Sequence, residues 1–226
     1  GINDYLFVDG YKRVQDERKK GRLRNIERVF PVVELRLNAF GGSSGHLSRV
    51  NWHVIFSDDV PAEVIEQQFL NALNSKYVLT PQFDHIRTGG HWAAVGTRQS
   101  LADLGQKIID SVPAKERTKY GAPLVEGFNN LCVSLESVKK ALESHYFNGK
   151  YITAVGKTEW ADIKWNDQSI AEKKTIINSA DLVFISAEDP EAHKRARDSL
   201  VNAGVNPRLL DCSDAHAVST VTSKDR

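Results

Sequence analysis

The chain has no methionine, even at position 1, and only two cysteines, Cys132 and Cys212, in 226 residues. Two cysteines so far apart make neither a disulfide framework nor a cysteine zinc site, so a reducing cytoplasm is the default expectation. No apolar run approaches the roughly 18 residues of a membrane span, and no signal peptide opens the chain. No membrane partner is expected. The formal net charge is only +1, which argues against a dedicated nucleic-acid or membrane-surface protein. Apolar residues make up 41% of the chain, enough for one large domain or two small ones with a sizeable core. The opening Gly1-Ile2-Asn3-Asp4-Tyr5-Leu6 reads as the inside of a strand-to-loop passage, and the polar close at 219–226 carries no helix stop. The expectation is an internal piece of a longer protein.

Short apolar runs alternate with amphipathic helical patterns. Strands are predicted at 2–7, 29–37, 50–56, 151–155, 182–185 and 208–212. Helices are predicted at 11–20, 61–73, 101–111, 135–147, 169–179 and 190–203. The first stops at Gly21. Asp59 is the expected N-cap of the second, with Glu63 in its first turn. The fourth presents Leu135, Val138, Leu142 and Tyr146 on one face. The last has the strongest local signals: Asp189 as cap, Pro190 at its first position and Gly204 just past its end. Such alternation predicts an α/β fold with a mainly parallel sheet or barrel. The 29–37 and 50–56 strands are joined through the Gly-rich 41–45 stretch and could instead form a hairpin. Residues 74–133, with Gly89-Gly90, Gly121 and several prolines, read as an insertion or irregular excursion.

Several residues have metal-ligand chemistry. In Ser213-Asp214-Ala215-His216, side chains two apart on an extended segment share a side, so Asp214 and His216 can reach one metal ion together. Glu34 lies inside the apolar run Phe30-Pro31-Val32-Val33-Glu34-Leu35-Arg36-Leu37. A carboxylate there is costly unless paired, hydrogen-bonded or metal-bound; Arg36, two residues on, is the simple structural partner. His53 alternates with Trp52 and Val54 and falls on the side of Asn51 and Ile55. A lone strand histidine is more often a satisfied core residue than a ligand.

Other candidates carry less. His85 and His91 flank Gly89-Gly90, His145 and His193 sit among helical charges, and His46 is in a Gly/Ser loop. Gly156-Lys157-Thr158 resembles the end of a phosphate-binding loop, but that motif needs a glycine where Tyr151 stands. Glu159 is a weak further candidate. Residues 11–28 hold eight Lys/Arg against three acids; such a run could meet phosphates, although a solvated helix face is the simpler reading.

In order, Asn3-Asp4-Tyr5, Glu34, His53 and Ser213-Asp214-Ala215-His216 resemble the later motifs of PHP (polymerase and histidinol phosphatase) domains. The phrases from Gly1-Ile2-Asn3-Asp4-Tyr5 through Asp9-Gly10-Tyr11-Lys12, Pro31-Val32-Val33-Glu34-Leu35-Arg36-Leu37 and Asn51-Trp52-His53-Val54-Ile55-Phe56-Ser57 resemble the PHP region of TrlF-type AAA-like ATPases. Ile185-Ser186 followed by 209–216 fits the same region. The resemblance implies a distorted (β/α)7 PHP-type barrel, incomplete in this fragment, with 1–226 as a single partial domain. It further implies a metal-dependent phosphoesterase that hydrolyses a phosphoester with metal-activated water. Asp4, Glu34, His53, Asp214 and His216 would form the site. Glu34, His53, Asp214 and His216 would be ligands to divalent Mn, Zn or Fe. Nucleic acid or a nucleotide is a candidate substrate, and a C-terminal ATPase region of the same protein would be a partner.

Two departures bear on this. The family's first His-x-His motif is absent, and its Asp-His reads Asp4-Tyr5 here. The alternative is a non-catalytic PHP-like module that regulates or scaffolds the ATPase. A third reading is an unrelated α/β domain in which these residues are structural. An incomplete barrel would also leave strand edges unpaired, so the chain alone is expected to be inactive and poorly stable.

Overall fold

The computed structural model describes residues 1–43, 46–86, 96–156, 170–187 and 189–212. The fold is mixed α/β and divides into two compact units, Gly1–Asn38 with Phe56–Tyr151, and Ala39–Ile55 with Ile152–Arg226.

The first unit opens with a βαβ element. Strand β1 (Ile2–Tyr5) leads into helix α1 (Asp9–Lys19), and the chain returns on strand β2 (Pro31–Ser43), parallel to β1. A parallel pair needs a crossover connection, and α1 supplies it. As expected, α1 stops before Gly21, whose φ of +79° is open to glycine at little cost. Val32, Val33, Glu34 and Leu35 of β2 are all buried, the pattern of a strand covered on both faces.

Next come α2 (Ala62–Val64), a π-helical stretch (Ile65–Leu70) and α3 (Asn71–Leu73). Pro61, not Asp59, occupies the N-cap position, and it makes no side-chain cap. Asp59 is instead held in the preceding turn, its amide donating to Ser57 Oγ. Phe69 of the π-helical stretch meets Phe56 and Phe147 in an aromatic cluster with centroid separations of 5.3 to 6.2 Å.

The described residues of the 74–133 stretch carry regular structure. They contain β4 (Val78–Leu79), α4 (Arg98–Ser111), α5 (Pro123–Asn130) and β5 (Leu131–Cys132), with β4 and β5 antiparallel. Helices α4 and α5 cross at glycines. A Cβ on Gly105 would fall 1.7 Å from the Pro123 carbonyl oxygen, and one on Gly127 2.1 Å from that of Leu101. Beyond β5, Val133 bridges in parallel to Leu37 of β2.

Helix α6 (Leu135–Leu142) is shorter than its pattern predicts. Its chain turns at Glu143–Ser144 into a 3-10 turn, His145–Phe147. That break changes the phase, so Phe147 is buried and Tyr146 is exposed.

The second unit takes the end of β2 from Ala39, followed across the sheet by β3 (His46–Phe56), β6 (Tyr151–Val155), β7 (Leu182–Ile185) and β8 (Leu209–Asp211). Only Ser44 and Gly45 separate β2 from β3, too few for a crossover, so the two form the hairpin left open by the sequence. By contrast β6, β7 and β8 run parallel, with α7 (Ile170–Ser179) and α8 (Pro190–Ala203) in their connections. Ile177, Val183, Leu200 and Val205 form the core between these helices and the sheet. Helix α8 ends as read: Asp189 Oδ1 accepts from the Ala192 amide at 2.7 Å, and Gly204 closes it at φ +69°.

Candidate functional site

The parallel register of β1 and β2 sorts the candidate residues by face. Tyr5 stands opposite Glu34 and Asp4 opposite Val33, and registered side chains of a parallel pair point the same way. Asn3, Tyr5, Glu34 and Arg36 therefore share one face. Glu34 is 4% exposed, and Asn3 Nδ2 donates to its Oε2 at 2.5 Å. The Arg36 guanidinium lies 5.3 Å from the Tyr5 ring centroid, within cation–π reach. Tyr5 is 38% exposed and also approaches the Phe128 ring of α5 at 6.2 Å.

Asp4 points to the other face and toward α1. Its two carboxylate oxygens accept from the backbone amides of Gly10 and Tyr11, each at 3.1 Å. These are orphan donors of the first helical turn, and Val8 at the N-cap position offers no side-chain acceptor. Asp4 thus caps α1 from the preceding strand, where the helix dipole also favours a negative charge. Two local features make the cap possible. Leu6 adopts φ +59°, a left-handed turn at the strand exit. Gly10 leaves room, since a Cβ there would fall 2.6 Å from Asp4 Oδ1.

Burial raises the Asp4 carboxyl above its ordinary 3.8; the Tyr11 and Gly10 amides pull it down, Asp9 adds to the rise and Arg98 opposes it. Arg98 itself donates to Asp9 at 2.9 Å and sits 5.0 Å from the centre of the Phe7 ring.

His53 lies in the second unit, on β3. It is 6% exposed, and its ring centroid is 4.9 Å from that of Phe184 on β7. Trp52 and Val54 on the opposite side are fully buried, as alternation predicts. Strand β8 leads toward Asp214 and His216, which lie outside the described residues, as do Glu159 and His91. At the exit of β8 the Cys212 amide donates to the Ile185 carbonyl, and Asp211 Oδ1 accepts from the Ala187 amide. His85 and His145 are exposed and His193 is half-buried, so none of the three is a buried residue. Among the described residues no three His, Cys, Asp or Glu side chains stand together as a metal group.

The basic stretch spends most of its charge locally. Lys12 pairs with Glu66, Lys19 with Asp16, Lys20 and Arg22 with Glu17, and Arg28 with Asp58. Arg18 and Arg24 donate to the Glu27 and Gly21 carbonyls. The stretch is a salt-bridged helix and loop surface.

Two polar constellations have no counterpart in the sequence reading. Asn3 is one; only the strand register reveals that its amide meets Glu34. The other is buried where α5 meets β4. Thr80 Oγ1 donates to Asn130 Oδ1 at 3.0 Å, Asn130 Nδ2 donates to the Glu126 carbonyl at 2.9 Å, and Glu126 Oε1 accepts from the Gly121 amide at 2.7 Å. With its partners supplied internally, this network ties elements together.

Fold and side chains define a mixed α/β protein that gathers a carboxylate, an amide and a phenol on one face of β1 and β2. Compared with family models, curated proteins and solved structures, the chain matches none.

Proposed function

We propose that the chain is a PHP-type, metal-dependent phosphoesterase domain of a larger ATPase, built as an incomplete (β/α)7 barrel and working in the cytoplasm. Glu34, His53, Asp214 and His216 hold the divalent metal. The observation that carries the reading is Glu34, a carboxylate buried in an apolar strand whose Oε2 accepts from the Asn3 amide. A carboxylate so placed is tolerated where it is paired, hydrogen-bonded or metal-bound. Mixed imidazole and carboxylate donors suit Mn, Zn or Fe. Such an ion supplies charge neutralisation on phosphate oxygens and a bound water of lowered pKa. The substrate is a phosphoester, with nucleic acid or a nucleotide as the candidate class.

One observation favours the second reading, a non-catalytic module that regulates or scaffolds the ATPase. Both oxygens of Asp4 are engaged by α1 amides, and Tyr5, a poor divalent ligand at neutral pH with an ordinary pKa of about 10, follows it. A Mn-dependent phosphoesterase assay on the full-length protein, wild type and Asp214→Ala, separates the two. Turnover abolished by Asp214→Ala supports the enzyme. Bound metal without Asp214-dependent turnover supports the module.

A further inference from the structure

We propose that Arg36 is an anion-binding residue that receives the phosphate group of a ligand on the Asn3 and Tyr5 face of β1 and β2. The site lies within the first unit and needs no metal; only the choice of phosphate over other oxyanions rests on the phosphoester reading. Arg36 differs from its fellow arginines. Half-buried Arg18 donates to the Glu27 carbonyl, and Arg22, Arg28 and Arg98 reach carboxylates. Arg36 is also half-buried, yet among the described residues its guanidinium has no ion pair and no hydrogen bond. The pair with Glu34 that their spacing suggests does not form; Glu34 Oε2 accepts from Asn3 instead. A guanidinium so placed has given up part of its hydration without a facing counter-charge, and an unsatisfied polar group of this kind calls for a partner.

The side chain is held ready for one. Its guanidinium lies 5.3 Å from the Tyr5 ring centroid, and that ring is buttressed by Phe128 at 6.2 Å. The backbone is fixed as well: the Val133 amide donates to the Arg36 carbonyl at 2.9 Å, and the Asn38 amide to the Val133 carbonyl at 3.0 Å. A planar fork held this way loses little freedom when it binds two oxygens of an oxyanion. Nε is shielded from solvent, so the ligand's oxygens meet the terminal Nη groups end-on. Asn3 and Tyr5 beside it are exposed, which leaves this face open to a ligand.

The test is site-resolved labelling of arginines in the full-length protein with phenylglyoxal, read by peptide mass spectrometry. EDTA is present throughout, so no metal contributes. Inorganic phosphate is the probe, with chloride and acetate at matched ionic strength as controls and exposed Arg195 as internal standard. Phosphate at about ten times a millimolar dissociation constant is expected to slow Arg36 labelling about tenfold and leave Arg195 unchanged. An Arg36 that phosphate protects less than about twofold, that acetate protects equally, or that phenylglyoxal never labels overturns the proposal. Phosphoester turnover without protection of Arg36 overturns this site alone. Protection of Arg36 in a protein without turnover supports the site and counts against the phosphoesterase reading.

Discussion

Truncating Asp4 tests whether its carboxylate serves helix α1. Asp4→Ala removes the acceptor for two first-turn amides, Gly10 and Tyr11. Losing one N-cap acceptor typically costs about 1 kcal/mol, and losing a negative charge at a helix N-terminus costs about 0.3–1 kcal/mol more. Against this, the alanine relieves the burial that raises the Asp4 carboxyl. The balance is a loss of about 1.4 kcal/mol, a tenfold shift in the folding equilibrium. Urea unfolding followed by tryptophan fluorescence measures it as a lower midpoint at unchanged slope.

The pH dependence has a defined sign. The folded-state value of Asp4 lies above its ordinary 3.8, so the folded chain binds that proton more tightly than the unfolded chain. Its contribution to stability is greatest below 3.8 and declines as the pH rises through the raised value. Asp4→Asn removes that part of the slope. An unchanged urea midpoint in Asp4→Ala refutes the capping argument, and an unchanged acid slope in Asp4→Asn refutes the raised Asp4 carboxyl.

Two further perturbations probe the packing around the site. Gly127→Ala places a methyl 2.1 Å from the Leu101 carbonyl oxygen and must separate α4 from α5; calorimetry should register a loss of about 2 kcal/mol or more. Asn130→Ala strips the Thr80 hydroxyl of its acceptor in a buried setting, and chemical denaturation should report a loss of about 1–3 kcal/mol.

The parts of the fold legible in the sequence are those fixed by local chemistry. Helix α8 announces itself because Asp189, Pro190 and Gly204 each act within a few residues of their own position. The six longer strands are visible as apolar runs, although the loop before β3 hides how β2 and β3 are joined. Helix α5 is obscured by Gly127, which reads as a breaker until its close approach to Leu101 is known. Strands β4 and β5 are two residues each, too short for any periodicity. In the site, burial at Glu34 and His53 follows from their apolar strands. The role of Asp4 does not, because its partners lie six and seven residues ahead and meet it only after Leu6 turns left-handed. Nor does the Asn3–Glu34 bond, which spans 31 residues and depends on a parallel register that composition does not encode.

The central claim concerns one metal held by residues from separate strands. Its most direct test is the divalent metal content of the full-length protein, purified without chelator, for wild type, Glu34→Gln, His53→Ala and Asp214→Ala. The account predicts bound Mn, Zn or Fe in the wild type and a marked loss in each variant whose fold is intact. Metal-free wild type, or metal content unchanged by all three substitutions, contradicts it.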